Sequence, residues 1–141
     1  MPGESNSPKT LSSRITVASY ELDSFGHVNN AIFLNYLEKA RCDFMTQKGL
    51  HFNDFFKWHR YPLVIKASLE YKRPARADDH LLVIGWITAH TQTTFTLQYQ
   101  IINEETEQLI LKGETVHAFV DDSNRPARIP DEFFHGFIQQ S

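Results

Sequence analysis

Four strand-length patterns follow one another between residues 63 and 121 with only short turns between them, and this run constrains the fold more than any other feature. Over residues 63–71, Leu63, Ile65, Ala67, Leu69 and Tyr71 alternate with Val64, Lys66, Ser68 and Glu70. That is the period of a strand with two unlike faces, and Pro74 closes it. Residues 81–91 give a mostly apolar strand. Residues 93–103 alternate again, with Phe95, Leu97, Tyr99 and Ile101 on one face. Glu104-Glu105-Thr106-Glu107 reads as a hairpin loop, and residues 109–121 are the last strand. A first strand over residues 14–20 is rich in β-branched and aromatic types. Strands of roughly ten residues are longer than usual.

One helix interrupts the strands. Ile32, Phe33, Tyr36, Leu37, Ala40 and Phe44 recur at helical spacing over residues 30–47. Asn29 or Asn30 can cap its start, and Gly49 can end it in a left-handed conformation. A loop containing Trp58 leads back to the strands. The order β–α–β–β–β–β predicts an α+β domain in which one long antiparallel sheet wraps a central α-helix. An edge strand that long needs a cover, and pairing with a second copy of the chain supplies one. Near the C-terminus, Phe133, Phe134, Phe137 and Ile138 can dock a short final helix. Residues 1–12, rich in Pro, Gly, Ser and Asn, read as a flexible tail, and residues 13–141 as the domain.

Composition removes several function classes. With 14 Lys and Arg against 17 Asp and Glu, the net charge is −3, whereas a small nucleic-acid-binding domain is usually basic. Cys42 is the lone cysteine, so neither an internal disulfide nor a cysteine-based zinc cage is available; it reads as a structural thiol. The seven histidines show no metal-ligand spacing, and no metal or cofactor is expected. No apolar run is long enough to span a membrane, and the N-terminus lacks the pattern of a secretory signal. A cytoplasmic protein is expected.

The stretch that carries chemistry is Tyr20-Glu21-Leu22-Asp23-Ser24-Phe25-Gly26-His27-Val28-Asn29-Asn30-Ala31. A helix start offers unpaired N–H groups and a partial positive charge. Amides near Gly26, His27 and Val28 can therefore point at a carbonyl oxygen and stabilise an oxyanion. Asp23, just upstream, can act as general base on water or as a nucleophile. His27 can bond to Asp23 or to a substrate. The same residue types also serve as ordinary turn and capping residues, and Asn29 and Asn30 are most simply a cap and its neighbour.

These residues resemble the hotdog-fold acyl-CoA thioesterases of the 4-hydroxybenzoyl-CoA thioesterase type. The likeness continues through Tyr36-Leu37-Glu38-Lys39-Ala40-Arg41, Glu70-Tyr71-Lys72-Arg73-Pro74-Ala75-Arg76-Ala77-Asp78-Asp79 and Arg125-Pro126-Ala127-Arg128-Ile129-Pro130. The resemblance implies a single hotdog domain, a homodimer or dimer of dimers, and hydrolysis of an acyl-CoA thioester with coenzyme A as part of the substrate. It implies Asp23 as the catalytic carboxylate, with helix-start amides near Gly26, His27 and Val28 on the thioester oxygen. The alternatives are an acyl-carrier-protein thioesterase and a non-catalytic acyl-CoA-binding protein. No nucleic acid or membrane partner is implied. Where some relatives carry Tyr or His seven residues after the Asp, this chain has Asn30. Phe25, Asn29, Asn30, Phe33, Tyr36, His59 and Tyr61 are candidate substrate-lining residues. The polyanionic coenzyme calls for a basic surface, for which Lys72, Arg73 and Arg76 are the candidates. Glu38 is expected in a salt bridge with Lys39 or Arg41.

Overall fold

The Asn29 side chain accepts the Ala31 N–H at 3.0 Å and opens helix α1, Asn30–Gln47, as the capping signal predicts. A cap of this kind is worth about 1 kcal/mol. Gly49, at φ +77°, lets the chain leave the helix. The computed structural model describes residues 9–139, and the expected tail over residues 1–8 lies outside them. Strand β1 is Leu11–Thr16, earlier than the pattern suggests, so Leu11 and Ser12 belong to the sheet and not to a tail. A 3₁₀ turn at Ser19–Glu21 takes the place of the strand's expected end.

After α1 comes a second helix, α2, Asn53–Trp58, where the sequence suggested a loop. Its Phe52, Phe55, Phe56 and Trp58 are aromatic at near-helical spacing, and their rings meet edge to face. Strands β2 (Tyr61–Tyr71), β3 (His80–His90), β4 (Thr94–Asn103) and β5 (Leu109–Val120) follow. The chain then folds into α3, Asp131–Phe133, continued by a wider turn over Phe134–Ile138. The five strands form one antiparallel sheet in the order β1-β3-β4-β5-β2. This is the α+β hotdog arrangement, a long sheet around a central helix.

The helix and the concave sheet face make the core. Phe33, Tyr36, Leu37, Ala40, Phe44 and Met45 are the buried positions of α1. They meet Leu81, Val83, Phe95, Leu97, Tyr99, Ile101, Leu111 and Phe119 from the sheet. Gly85 in β3 makes the approach possible, because a Cβ there would sit 2.5 Å from the Phe44 ring. At one end, the rings of Phe55, Phe95, Phe119, Phe133 and Phe137 pack together beneath α2 and α3, neighbouring centroids 5.0–6.2 Å apart. Docking of the C-terminal Phe residues is thus as expected.

Strand β2 departs from its two-faced pattern. It is the sheet edge, and a register shift between Val64 and Lys66 interrupts the alternation. Leu63, Val64, Ile65 and Tyr71 remain 42–60% exposed.

Candidate active site

The loop between the 3₁₀ turn and α1 is tied by its own backbone. Leu22 and Val28 form an isolated bridge, Asp23 N–H donates to the His27 carbonyl at 2.7 Å, and Gly26 N–H donates to the Asp23 carbonyl. Gly26 takes φ +78°, the left-handed geometry that a side chain resists. The Asp23 carboxylate closes the turn from inside: Oδ1 accepts the N–H groups of Phe25 at 2.9 Å and His27 at 3.1 Å. Asp23 is exposed, and its Oδ2 has no partner among the described residues. One oxygen holds the turn while the other is open to a substrate.

This geometry corrects the expected oxyanion donors. Gly26 N–H and His27 N–H are engaged by Asp23, and Val28 N–H donates to the Ala75 carbonyl at 2.8 Å. The compact turn uses all three. Between Asp23 and Asn30 two amides are left without an acceptor among the described residues, those of Ser24 in the turn and of Asn30, the first residue of the 18-residue helix. Asn29 serves as the cap, with its own N–H on the Glu21 carbonyl. Its neighbour Asn30 receives the Tyr71 hydroxyl at its carbonyl, at 3.3 Å.

Glu21 is a structural anchor. Its Oε1 accepts the Ala18 N–H at 2.9 Å and the Tyr36 hydroxyl at 2.7 Å, fastening the loop to α1. Burial, with the hydrogen bond and charge of Glu21, pushes the Tyr36 phenol well above its usual range. Tyr36 and Phe33 are buried, their rings edge to face at 5.7 Å. They are core residues in the single chain rather than lining residues.

The His27 imidazole turns away from Asp23. Its Nε2 lies 3.4 Å from an Arg76 guanidinium nitrogen, and as Arg can only donate, Nε2 is the acceptor. The bond between Val28 and Ala75 draws the residue 73–76 segment against the Asp23 loop. Arg73 and Arg76 are exposed there and make no ion pair among the described residues, while Lys72 pairs with Glu70 at 3.2 Å. Structure therefore joins the carboxylate loop to part of the basic cluster. Phe25 is 84% exposed beside it.

A cavity of about 270 Å³ opens farther along α1. Glu38, Arg41, Cys42 and Met45 line it from the helix, Phe52 and Phe55 from α2, and Pro62, Leu63 and Val64 from β2. Its floor is Phe95, Leu97, His117, Phe133 and Phe137, all buried. His59 and Tyr61, expected to line a pocket, instead converge on Asp122: His59 Nδ1 at 2.8 Å and the Tyr61 hydroxyl at 2.7 Å. Those bonds hold Asp122 below the usual carboxylate range. Cys42 is exposed at the cavity wall, not sequestered as a structural thiol. Glu38 makes neither expected salt bridge, since Lys39 pairs with Asp43 at 2.8 Å and Arg41 donates to the Tyr99 hydroxyl at 3.2 Å. Along α1 the cavity begins at Glu38, about 12 Å beyond Asn30 at 1.5 Å per residue. Within one chain, carboxylate and cavity are apart.

A family model described as the thioesterase-like superfamily matches residues 17–137. The acyl-acyl carrier protein thioesterase ATL3, chloroplastic, of Arabidopsis thaliana is 25% identical over 124 residues, 88% of this chain and 65% of that protein. The long-chain acyl-CoA thioesterase FadM of Escherichia coli (strain K12) is 38% identical over 77 residues, 52% of this chain and 54% of that one. The chain thus spans less than two thirds of the length of these relatives. Among solved structures, Slr0204, a 1,4-dihydroxy-2-naphthoyl-CoA thioesterase from Synechocystis, superposes with a TM-score of 0.86 at 22% identity, covering 93% of this chain and 97% of that one. The shared wrap of sheet around helix and a family match that runs from the end of β1 to the last turn lead to one conclusion: the chain belongs to the thioesterase-like superfamily.

Proposed function

We propose that the protein hydrolyses an acyl-CoA thioester to a carboxylic acid and coenzyme A. Asp23 supports this reading: its Oδ2 has no partner among the described residues, and it lies in the loop that leads into α1, whose first amide, that of Asn30, likewise has no acceptor among them. The thioester oxygen accepts from Asn30 N–H, and the positive end of the helix stabilises the charge that develops there. Asp23 either takes a proton from attacking water or attacks the carbonyl carbon itself. The carbon–sulfur bond then breaks and the thiolate leaves, needing little help because thiols ionise near pH 8.5; where Asp23 itself attacked, water then cleaves the acyl–Asp23 anhydride, releasing the acid and restoring the carboxylate. Arg73, Arg76 and His27, gathered at the same loop, suit the phosphates of the coenzyme.

The site is completed by a second copy. Strand β2 exposes Leu63, Val64, Ile65 and Tyr71 along an unpaired edge, a surface that monomers normally cover. Antiparallel pairing of β2 with its own copy about the middle of the strand sets the Leu63 end of one chain beside the Tyr71 end of the other. Tyr71 bonds the first residue of α1, while Pro62, Leu63 and Val64 rim the cavity. The acyl cavity of one chain therefore opens toward the carboxylate loop of its mate.

A carrier-protein thioester is the second reading, favoured by the likeness to the plant acyl carrier protein thioesterase over 88% of this chain. The test is thiol release from one acyl group presented on coenzyme A and on carrier protein, across acetyl, long-chain and aryl thioesters. Faster release from coenzyme A is expected. Release from carrier protein alone would favour the second reading, and tight acyl-CoA binding without release would make the protein a binding module.

A further inference from the structure

The cavity floor carries a polar device that simple binding of an alkyl chain does not call for. Arg41 is half-buried and donates to the Tyr99 hydroxyl at 3.2 Å. Tyr99 Oη lies 2.6 Å from Thr115 Oγ1, and Thr115 Oγ1 lies 2.8 Å from His117 Nε2. No carboxylate ion-pairs with Arg41 among the described residues.

The guanidinium sets one end of this chain of hydrogen bonds, and we take the direction in which each hydroxyl proton finds an acceptor within the row. Arg has no acceptor, so Tyr99 oxygen accepts from it and the single phenolic proton passes to Thr115. The Thr115 hydroxyl then donates to His117 Nε2. With Nε2 an acceptor, the neutral imidazole carries its proton on Nδ1. Burial, reinforced by the positive charge of Arg41, lowers His117 to about 3, so the ring is neutral at ordinary pH. Burial also raises Tyr99, which keeps its proton.

His117 is only 3% exposed and lies flat on Phe95, the ring centroids 4.6 Å apart and the planes 6° from parallel. Its Nδ1 has no hydrogen-bond partner among the described residues. Every occluded side-chain nitrogen and oxygen of the described residues is bonded, so Nδ1 is not sealed in protein. The space that His117 borders is the cavity.

We propose that the cavity selects an acyl group bearing an oxygen acceptor (a hydroxyl, keto or carboxylate oxygen) and that His117 Nδ1–H donates to it. This rests on the thioester-hydrolase function proposed above. A volume of about 270 Å³ corresponds to about nine waters at ~30 Å³ each, enough for a medium-length or single-aryl acyl group. An alkyl chain of the same length leaves the N–H unpaired against carbon, which a buried donor resists.

The test uses octanoyl-CoA and singly oxygenated octanoyl-CoA thioesters with the oxygen walked along the chain, together with the non-hydrolysable thioether analogue of each. Wild type is expected to favour at least one oxygenated member tenfold or more, in kcat/KM and in analogue affinity, with the difference falling mainly in KM. His117→Leu is expected to bring that ratio within threefold of unity. Thr115→Val, which keeps the side-chain volume but breaks the hydrogen-bond chain, is expected to lower it and answers the same question should His117→Leu not fold. Equal treatment of the whole series by wild type, or a ratio unchanged in both variants, would overturn the proposal. If no thioester is cleaved but the analogues keep the tenfold preference, hydrolysis fails and oxygen recognition stands.

Discussion

Asp23 and His27 meet through the backbone: Asp23 Oδ1 accepts the His27 N–H at 3.1 Å, while the imidazole faces Arg76. The two residues are therefore not a carboxylate–imidazole pair. His27 turns toward the basic segment, where coenzyme phosphates are proposed to bind, and the chemistry proposed for Asp23 proceeds without an imidazole partner. His27→Ala should raise KM for acyl-CoA several-fold with a smaller change in kcat. Steady-state kinetics on one acyl-CoA reads the split, and a loss confined to kcat would put His27 in the chemistry.

Edge strand β2 gives a prediction about assembly. Ile65 is 60% exposed in the middle of that edge, so a charge there costs the single chain little. In the proposed pairing of two copies through β2 it becomes buried against the other copy. Wild type should sediment at twice the 16.4 kDa chain mass or a multiple of that, and Ile65→Glu should shift the population to folded monomer and lower thioester turnover with it. A fully active Ile65→Glu monomer would separate the site from the second copy.

His117 makes stability depend on pH. An unfolded imidazole takes up a proton near pH 6.5, whereas the native one resists until about pH 3. The unfolded state thus holds more protons across that window, and native stability falls as pH drops from 6.5 toward 3. The loss amounts to at most about 5 kcal/mol at 1.36 kcal/mol per unit. Urea midpoints between pH 7 and pH 4 should fall less steeply in His117→Phe than in wild type.

Gly85 is a packing requirement. A methyl group there would lie 2.5 Å from Cε2 and 2.9 Å from Cζ of Phe44, a ring with no exposure. Gly85→Ala should cost about 1–3 kcal/mol, the range for overpacking a core, read as a lower urea midpoint. A truncated partner in Phe44→Leu/Gly85→Ala should recover part of it.

The helix and strands are legible in the sequence because each buries one face against the other. Asn29, Gly49 and the Phe33–Phe44 spacing bound α1, and Phe95, Leu97, Tyr99 and Ile101 mark the inner face of β4. The Asp23 loop is legible as a turn, but its hydrogen-bond economy is not: which amides remain free depends on Ala75, far along the chain. The cavity is hidden for the same reason, since Arg41, Phe55, His117 and Phe137 come from four separate segments. One local signal does exist. His117 sits between Thr115 and Phe119 at inward-facing positions of β5, and a histidine on a core face invites the question of what it bonds. The aromatic spacing of α2 is a second overlooked signal.

Thioester cleavage is proposed to depend on the Asp23 carboxylate, whose Oδ2 has no partner among the described residues, and Asp23→Asn removes its charge alone. An Asn side chain keeps an oxygen to accept the Phe25 and His27 N–H groups, so the turn survives while the charge is lost; Asp23→Ala removes those bonds as well. In a thiol-release assay on an acyl-CoA that wild type cleaves, Asp23→Asn should be slower by about 100-fold or more with an unchanged circular dichroism spectrum. Wild-type turnover in Asp23→Asn would contradict the account.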